Sequence, residues 1–262
     1  MPQPLTDTQS ERDDRKLPID RVGVRGLRFP LKIRDRDNQV QHTIAVVSLA
    51  VDLPHHYKGT HMSRFIEVLH AHGTELTVRD IAGMPKALLK RLNAQKAHAE
   101  FRFPYFRSKR APVTRHEGLL DYGVVFEVNA DGSEVDFVVT VEVPVTTLCP
   151  CSKAISARGA HNQRGTVTFA VRFTEPVWIE DLIELVESSA SSALYSLLKR
   201  PDEKFVTEAA YDNPVFVEDL VRNVAVKAGE HPRIKWFRVE AENFESIHNH
   251  NAWAVIERMK QN

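Results

Sequence analysis

The sequence contains little cysteine, no long apolar run and no excess of charge of either sign. Only 2 of its 262 residues are cysteine, which is too few for a disulfide-stabilised scaffold. No apolar run approaches the roughly 20 residues of a membrane span. The 35 basic residues balance 35 acidic ones, so charge gives no support for broad binding to nucleic acid or to membrane surfaces. With a polar N-terminal stretch that lacks an apolar signal region, a cytoplasmic, reducing location is the simplest expectation.

Several common catalytic signatures are absent as well. The sequence has no G-x-S-x-G elbow, no H-E-x-x-H and no G-x-G-x-x-G, which mark serine hydrolases, zinc proteases and dinucleotide-binding proteins. The zinc deaminase pattern P-C-x-x-C is missing too, because Pro150 and Cys151 are followed by Ser-Lys-Ala. Any active site must therefore be sought in local residue patterns.

The chain after residue 20 contains two halves with the same order of elements. In each half two strand-like runs precede two helical segments, and two more strand-like runs follow. The runs are 21–33, 40–54, 55–73, 77–96, 98–107 and 119–129, then 134–147, 165–173, 178–200, 213–229, 233–245 and 251–258. This order predicts an α+β fold of two similar modules, 21–130 and 131–262, each with helices on one face of an antiparallel sheet. Residues 1–20 are expected to form a disordered or loosely held arm.

One segment of the second half is predicted to be a long amphipathic helix, residues 178–200. Its apolar residues recur at helical spacing: Leu182, Ile183, Val186, Ala190, Ala193, Leu194 and Leu197. Glu203 comes shortly after it in a Pro-containing stretch and, taken alone, is interpreted as a loop acid in solvent. In the first half, Pro85 is expected to kink or restart the helix of residues 77–96.

Both cysteines lie in the stretch LCPCSKAISARGAHNQR, residues 148–164. A disulfide between Cys149 and Cys151 would close a small, strained ring. Cys149 ends an apolar strand, where reactive side chains are usually displayed, and the nearby Lys153 and Arg158 favour its thiolate form. Cys149 is therefore a candidate nucleophile or metal ligand. For Cys151, a role in the site and a structural role as a small buried apolar residue are equally good interpretations.

A catalytic metal site needs three protein ligands and an open position for water. His161 is the histidine nearest to Cys149 in the sequence, although an isolated histidine is also an ordinary surface residue. The second ligand pair of a zinc finger is missing. The cysteines alone leave the choice between metal ligand and nucleophile open.

The C-terminal stretch EAENFESIHNHNAWA concentrates further titratable groups. His248 and His250, two residues apart on an extended segment, would point to the same side. Glu245 is close enough in the chain to orient one of them or to share proton transfer. The alternative is a charged hairpin end that lies in solvent without a function.

The segment HYKGTHMSRF combines basic residues with a predicted helix start. Lys58, His61 and Arg64 precede or open this helix, and Gly59 would let the backbone approach an anion. Helix N-termini with basic neighbours bind phosphate groups. Basic residues in such positions are also often merely exposed, so the pattern alone does not decide.

Four motifs together resemble a known family, the prokaryotic GTP cyclohydrolases of type IB. They are CPCSKAISARGAHNQRG, KGTHMSRF, FVEDLVRNVA and EAENFESIHNH, and the resemblance covers about residues 20–258. Members of the family convert GTP into 7,8-dihydroneopterin triphosphate and formate, the entry step to tetrahydrofolate. The resemblance implies the tunnelling fold (T-fold), in which paired β-β-α-α-β-β modules assemble into barrels. It also implies a homotetramer with active sites at subunit interfaces.

The resemblance further implies a role for each candidate residue. The metal ligands would be Cys149, His161 and Glu203, holding one zinc, manganese or iron(II) ion per site, with no organic cofactor and with hydroxide attacking C8 of guanine. Glu218 would anchor the purine edge. The remaining roles are proton transfer and triphosphate binding. Proton transfer would fall to Glu245, His248 and His250, and triphosphate binding to Lys58, His61, Arg64, Lys153 and Arg158.

Two alternatives remain open at this point. Nitrile reductases of the same fold use a cysteine nucleophile and NADPH, which requires a thiol that is free to attack carbon, and they lack His161 and the His-Asn-His element of residues 248–250. A non-catalytic module that binds purines or pterins would bind GTP without turnover. Stoichiometric metal and formate release from GTP would exclude the binding module.

Overall fold

The computed structural model describes residues 7–37, 39–73 and 78–260. Its first part has the order strand, strand, helix, helix, strand, strand. These elements are β1 (Ile19–Arg34), β2 (Val40–Leu53), α1 (Met62–Ala71), α2 (Val78–Leu92), β3 (Lys96–Arg110) and β4 (Glu117–Asp131). The predicted order of the first half is confirmed, and α2 runs without a break across Pro85.

The second part contains more helices than the sequence pattern predicts. Its elements are β5 (Glu134–Leu148), α3 (Pro150–Ile155), β6 (Asn162–Phe173), α4 (Ile179–Glu187), β7 (Ser192–Ala193), α5 (Arg200–Asp212), α6 (Val217–Glu230), β8 (Ile234–Asn243) and β9 (Ala252–Met259). Three helices therefore separate β6 from β8, and the short α3 lies between β5 and β6. None of the helices in the described residues is long and apolar enough to span a membrane.

Two compact units are distinguished by their internal contacts. They comprise Met1–Arg34, Val40–Phe103 and Val125–Val138 in the first unit, and Asp35–Gln39, Pro104–Val124 and Val139–Asn262 in the second. The strand order is β1-β2-β3-β4-β5 within the first unit and β3-β4-β5-β6-β8-β9 within the second, where β7 pairs with β5. The pairs β1–β2, β2–β3, β5–β6, β6–β8 and β8–β9 are all antiparallel. The predicted modules 21–130 and 131–262 remain a prediction.

The helices of each unit cover one face of the strands. In the first unit α1 contacts β1 and α2 contacts β2, and in the second α6 contacts β8 and β9 while α4 contacts β6. The alternation of strands explains the choice of face, because residues two apart point the same way. Val167, Phe169 and Val171 on β6 are fully buried beneath these helices. An antiparallel sheet with helices on one face, the predicted α+β class, is confirmed.

The predicted long helix of residues 178–200 is wrong. Helix α4 ends at Glu187, where the hydroxyls of Ser188 and Ser189 donate to the carbonyl of Leu185 at 3.1 and 2.8 Å. Such local bonds compete with continuation of a helix. The chain then forms β7, in which Ala193 pairs with Val145 of β5. Strand pairing thus overrides the helical periodicity of the apolar residues.

The interpretation of Glu203 as a loop acid is also wrong, because it lies in the first turn of α5. Pro201 does not prevent this helix, since the first turn of a helix needs no proline N–H. The buried Asp202 accepts the N–H of Lys199 at 2.9 Å and so caps the helix start. Glu203 itself is exposed.

A buried carboxylate ties helix α4 to two other segments of the second unit. Glu180 accepts the hydroxyl of Tyr105 at 2.6 Å and the backbone N–H of Arg36 at 3.0 Å. Tyr105 and Glu180 are only 1% and 6% exposed. Burial, followed by the hydrogen bond to Glu180, raises the pKa of Tyr105 far above its usual value, so the phenol stays a donor.

We expect Tyr105→Phe to lower the free energy of unfolding by about 2 kcal/mol, because the buried Glu180 side chain loses one of its two hydrogen-bond donors. Urea denaturation followed by circular dichroism measures this difference. Tyr57→Phe is the matched control, since the Tyr57 side chain is 38% exposed, and it should change the stability little. Equal stabilities of the two variants would contradict the assigned role of the buried hydrogen bond.

A second prediction concerns pH. Burial acts to raise the pKa of Glu184, but hydrogen bonds from Arg36 and Arg107 outweigh it and hold the pKa below its usual 4.5. A carboxyl group with a lowered folded pKa stabilises the fold above its unfolded pKa, and this contribution is lost as the pH falls through the folded value. Glu184→Gln should therefore destabilise the protein most near neutral pH.

The measurement is urea denaturation of wild type and Glu184→Gln at several pH values. The difference in unfolding free energy should shrink as the pH falls below about 4.5. Glu208→Gln serves as a control because the Glu208–Lys204 pair is exposed, and exposed pairs contribute little. A difference for Glu184→Gln that stays constant from acid to neutral pH would count against the assignment.

Candidate active site

The register of the β5–β6 ladder places four polar residues on one face. Thr147 lies directly opposite Gln163, and one step beyond the ladder the N–H of Cys149 donates to the carbonyl of His161 at 3.1 Å. Because residues two apart on a strand share a face, the side chains of Thr147, Cys149, His161 and Gln163 lie together. The predicted neighbours Cys149 and His161 are therefore brought side by side by strand pairing.

The next two strands extend this face. Asn243 of β8 pairs with Gly165 of β6 and with Ala252 of β9. The loop between β8 and β9 carries Glu245, and also His248 and His250. Together with the start of α6, these elements form a pocket of about 270 Å³. It is lined by Cys149, His161, Gln163, Val215, Phe216, Val217, Glu218, Asn243, Glu245, His248, His250 and Ala252.

Cys149 is held by the first turn of α3. It is the N-cap residue, and its Sγ accepts the backbone N–H of Ser152 at 3.5 Å. The hydroxyl of Ser152 donates to the carbonyl of Cys149 at 3.1 Å and accepts the backbone N–H of His161 at 3.2 Å. Ser152 thereby fixes both chain segments. Cys149 and Cys151 are free thiols, half-buried and exposed respectively, so the structure contains no disulfide between them.

Several titratable side chains converge around His161. Its Nδ1 lies 3.0 Å from Oε1 of Gln163 and 3.9 Å from Oε2 of Glu245. The rings of His161 and His248 are 6.4 Å apart, edge to face. His248 and His250 stack on each other at 5.1 Å, so they face each other even though they lie on a loop and not on a strand. This arrangement provides adjacent groups that can exchange protons.

Glu218 lies in the first turn of α6 and borders the same pocket. The neighbouring Asp219 accepts the backbone N–H of Phe216 at 3.3 Å and so caps the helix. Glu218 is exposed. It borders the pocket at the N-terminal end of α6, where the helix dipole favours a negative charge. The predicted ligand-anchoring residue and the predicted proton carriers therefore share one site.

Sequence reasoning missed two polar residues of the pocket, Gln163 and Asn243. They are 8% and 2% exposed, and Asn243 Oδ1 lacks a hydrogen-bond partner among the described residues. Both occupy inward positions on strands whose other inward residues are apolar, such as Val167 and Val239. A polar residue at an inward position of an alternating strand was the available signal.

The predicted third metal ligand, Glu203, is not among the residues that line the pocket. The opposite end of α5 lies beside α3, where the Lys153 ammonium contacts the carbonyl and ring of Tyr211. Tyr211 follows Glu203 by eight positions along the helix, a rise of about 12 Å. Within residues 7–37, 39–73 and 78–260, no three His, Cys, Asp or Glu side chains are close enough to hold a metal ion.

The donors that do meet in the pocket suit a divalent metal. A thiol and an imidazole are ligands for zinc and iron, and a carboxylate would extend the range to manganese. Cys149 and His161 therefore fit such an ion as a pair. One chain as described supplies two of the three predicted ligands at the pocket.

The predicted phosphate-binding residues divide between the two units. In the second unit Lys153 contacts Tyr211, and Arg158 is exposed beyond the end of α3. Three lie in the first unit. There Lys58 Nζ is 2.6 Å from Glu11, His61 Nε2 is 3.3 Å from Asp7, and Arg64 lies in the first turn of α1. Part of the predicted N-terminal arm thus contacts this segment.

Comparison with solved structures identifies proteins of the same fold. Solved uricase structures share the fold: uricase from Arthrobacter globiformis has a TM-score of 0.53 at 11% identity over 93% of each chain. Urate oxidase from Bacillus sp. TB-90 has a TM-score of 0.56 at 8% identity, covering 92% of this chain and 100% of the other. Identities this low show similarity of fold alone.

Sequence comparison is far more specific. The family model described as type I GTP cyclohydrolase folE2 matches residues 5–254. A protein named GTP cyclohydrolase FolE2 from Akkermansia muciniphila is 65% identical over 98% of both chains. Proteins of the same name from Nitrosococcus oceani and Methylococcus capsulatus are 52% and 54% identical, over 98% of this chain and 96% of theirs. The chain therefore belongs to the type I GTP cyclohydrolase FolE2 family.

Proposed function

We propose that this protein is a GTP cyclohydrolase that opens the imidazole ring of the guanine of GTP by hydrolysis. The products are 7,8-dihydroneopterin triphosphate and formate. The observation that carries the proposal is the 65% identity, over 98% of both chains, with a GTP cyclohydrolase FolE2. The pocket that joins Cys149, His161, Glu218 and the loop of residues 244–251 supports it independently, since it combines groups for metal binding, proton transfer and base recognition.

The metal ligands in this proposal are Cys149, His161 and Glu203. These three residues would hold a zinc, manganese or iron(II) ion, which would supply Lewis acidity and would lower the pKa of a bound water. The hydroxyl of Ser152 holds the backbones of Cys149 and His161 together, because it donates to the carbonyl of Cys149 and accepts the N–H of His161. The metal preference follows from the carboxylate, which suits manganese or iron as well as zinc.

Glu218 binds the guanine base. A carboxylate accepts two parallel hydrogen bonds from the N1–H and the amino group of guanine, and adenine cannot offer this pair of donors. The position of Glu218 on the first turn of α6, at the rim of the pocket, is compatible with this role. Discrimination against ATP would then arise from the loss of both hydrogen bonds.

Glu245, His248 and His250 transfer protons. Ring opening, loss of formate and rearrangement of the ribose each move protons, and imidazole exchanges protons readily near neutral pH. The stacked rings of His248 and His250, beside the Glu245–His161 pair, provide neighbouring donors and acceptors. Lys58, His61, Arg64, Lys153 and Arg158 supply the cations for the triphosphate.

The active site is completed by a second copy of the chain. The T-fold modules would assemble as barrels in a homotetramer, and an interface site would account for the position of Glu203, which lies about 12 Å along α5 from Tyr211, the residue that contacts Lys153 of α3. The exposed position of Glu203 is consistent with donation to a neighbouring subunit. We place the enzyme in the cytoplasm, at the first step of tetrahydrofolate synthesis, without nucleic-acid or membrane partners.

The first experiment is a turnover assay on metal-stripped protein. Zinc, manganese or iron(II) is added in turn with GTP, and the oxidised pterin product is followed by its fluorescence. We expect product only with added metal, and a loss of at least about 100-fold in Cys149→Ala because a metal ligand is removed. Cys151→Ala is the matched control and should retain activity, since Cys151 is exposed.

Each alternative outcome has a distinct meaning. Activity that survives in Cys149→Ala would leave the reaction standing and reject the metal site. Tight GTP binding without turnover under reducing conditions would favour the binding module. NADPH-dependent reduction of a nitrile on a pteridine-like base, lost in Cys149→Ala without any need for metal, would favour the reductase.

A complementation experiment tests the shared site. Cys149→Ala and Glu203→Gln should each be inactive alone, because each lacks one ligand. Hybrids formed by co-expression or by joint refolding should recover about a quarter of wild-type activity, since random mixing unites the two intact residues in about one site in four. Hybrids without activity would show that both ligands come from the same chain.

A further inference from the structure

Resting on the proposed metal site, we propose that Gln163, anchored by Thr147, is a positioning residue for His161. It fixes the imidazole with its proton on Nδ1 and so leaves Nε2 free to bind a divalent metal ion. Neither residue belongs to the ligand set itself. The chain thereby orients one ligand before a metal ion binds.

The hydrogen bonds form a short buried chain. Gln163 Nε2 donates to Thr147 Oγ1 at 2.9 Å, and Gln163 Oε1 lies 3.0 Å from His161 Nδ1. Thr147 and Gln163 are 0% and 8% exposed and lie directly opposite each other in the β5–β6 ladder. An amide oxygen only accepts hydrogen bonds, so Nδ1 must carry the proton and the lone pair of a neutral ring must lie on Nε2.

The other groups around His161 do not take over this role. Glu245 Oε2 is 3.9 Å from Nδ1, beyond hydrogen-bonding distance. Ser152 bonds to the backbone N–H of His161 and not to its ring. His248 meets the ring edge to face at a centroid distance of 6.4 Å. Gln163 is thus the side chain that sets the orientation of the imidazole.

The arrangement matches the requirement of a metal-binding histidine. Such a residue binds through one ring nitrogen and donates the N–H of the other to a fixed acceptor, which sets tautomer and orientation. Gln163 supplies this acceptor without charge, so no further negative group is added beside Glu245 and the thiol of Cys149. Charge neutralisation of the ion is then left to its ligands.

Thr147 pairs with the end of the Gln163 amide that faces away from the imidazole. Its hydroxyl accepts from Nε2 of Gln163, and this bond turns Oε1 towards His161. Without that hydroxyl the amide can rotate by half a turn and present an N–H to Nδ1. The ring would then carry its proton on Nε2, where it blocks metal binding.

Two measurements test the inference. The tautomer of His161 is read from nitrogen NMR of metal-free protein labelled at the histidine rings, with His161→Gln used for assignment. Affinity for cobalt(II) is measured by the thiolate-to-cobalt absorption band. The variants are Gln163→Leu, Thr147→Val and the conservative Gln163→Glu. Thr146→Val is the matched control, because Thr146 lies on the opposite face of β5.

In the wild type we expect the Nδ1–H tautomer and a cobalt band that disappears in Cys149→Ala. Gln163→Leu and Thr147→Val should lose the tautomer preference and bind cobalt about 10- to 100-fold more weakly. Gln163→Glu should keep both, since a carboxylate still accepts the Nδ1 proton, and Thr146→Val should behave as wild type. Circular dichroism shows whether each variant is folded. If Gln163→Leu does not fold, Thr147→Val and Gln163→Glu are sufficient to test the inference.

Wild-type tautomer and cobalt affinity in both Gln163→Leu and Thr147→Val would overturn the inference while leaving the proposed function intact. If Glu245 accepts the Nδ1 proton of His161 in the variants, the tautomer would persist without Gln163, and this result would also overturn the inference. A wild-type protein whose cobalt band is independent of Cys149 would instead contradict the proposed metal site. The tautomer measurement, made without metal, separates these two failures.

Discussion

The candidate site depends above all on the register between β5, β6 and β8. Because side chains alternate across a strand, a slip of one residue between β5 and β6 would move Cys149 or His161 to the opposite face of the sheet. Gly165 protects this register on the other side of β6. A Cβ atom there would lie 2.5 Å from Asn243 Oδ1 and 2.9 Å from the carbonyl of Glu242, so any larger residue would force β6 and β8 apart.

A buried carboxylate fixes the remaining predicted ligand in a comparable way. Asp202 accepts the backbone N–H groups of Val113 and Thr114 at 2.8 Å each, as well as the N–H of Lys199. Burial acts to raise the pKa of Asp202, but these hydrogen bonds hold the pKa far below its usual value. The start of α5 is therefore rigidly placed, and the adjacent Glu203 is directed outward.

How much the sequence predicts depends on whether a local pattern or a distant contact decides the structure. The strands of the first half and helices α1 and α2 follow from periodicity, because their apolar residues face the same sheet on which they pack. The end of α4 at Glu187 does not, since serine hydroxyls and the pairing of Ala193 with Val145 decide it. The grouping of Cys149, His161 and Glu245 was predictable from motifs, whereas Gln163 required the strand register. The position of Glu203 could not be predicted, because it depends on helix α5, which the sequence pattern does not indicate.

Apart from Glu218 on α6, the polar groups that line the pocket are attached near or just beyond the end of a strand, and this has an evolutionary consequence. The loops that follow β5 and β8 can change in length and composition without disturbing the ladders beneath them. Selection can thus exchange the chemistry at the rim while the buried rows of valine, alanine and phenylalanine stay in place. Uricases that share this fold at 8% to 12% identity illustrate how far sequences can diverge on one such framework.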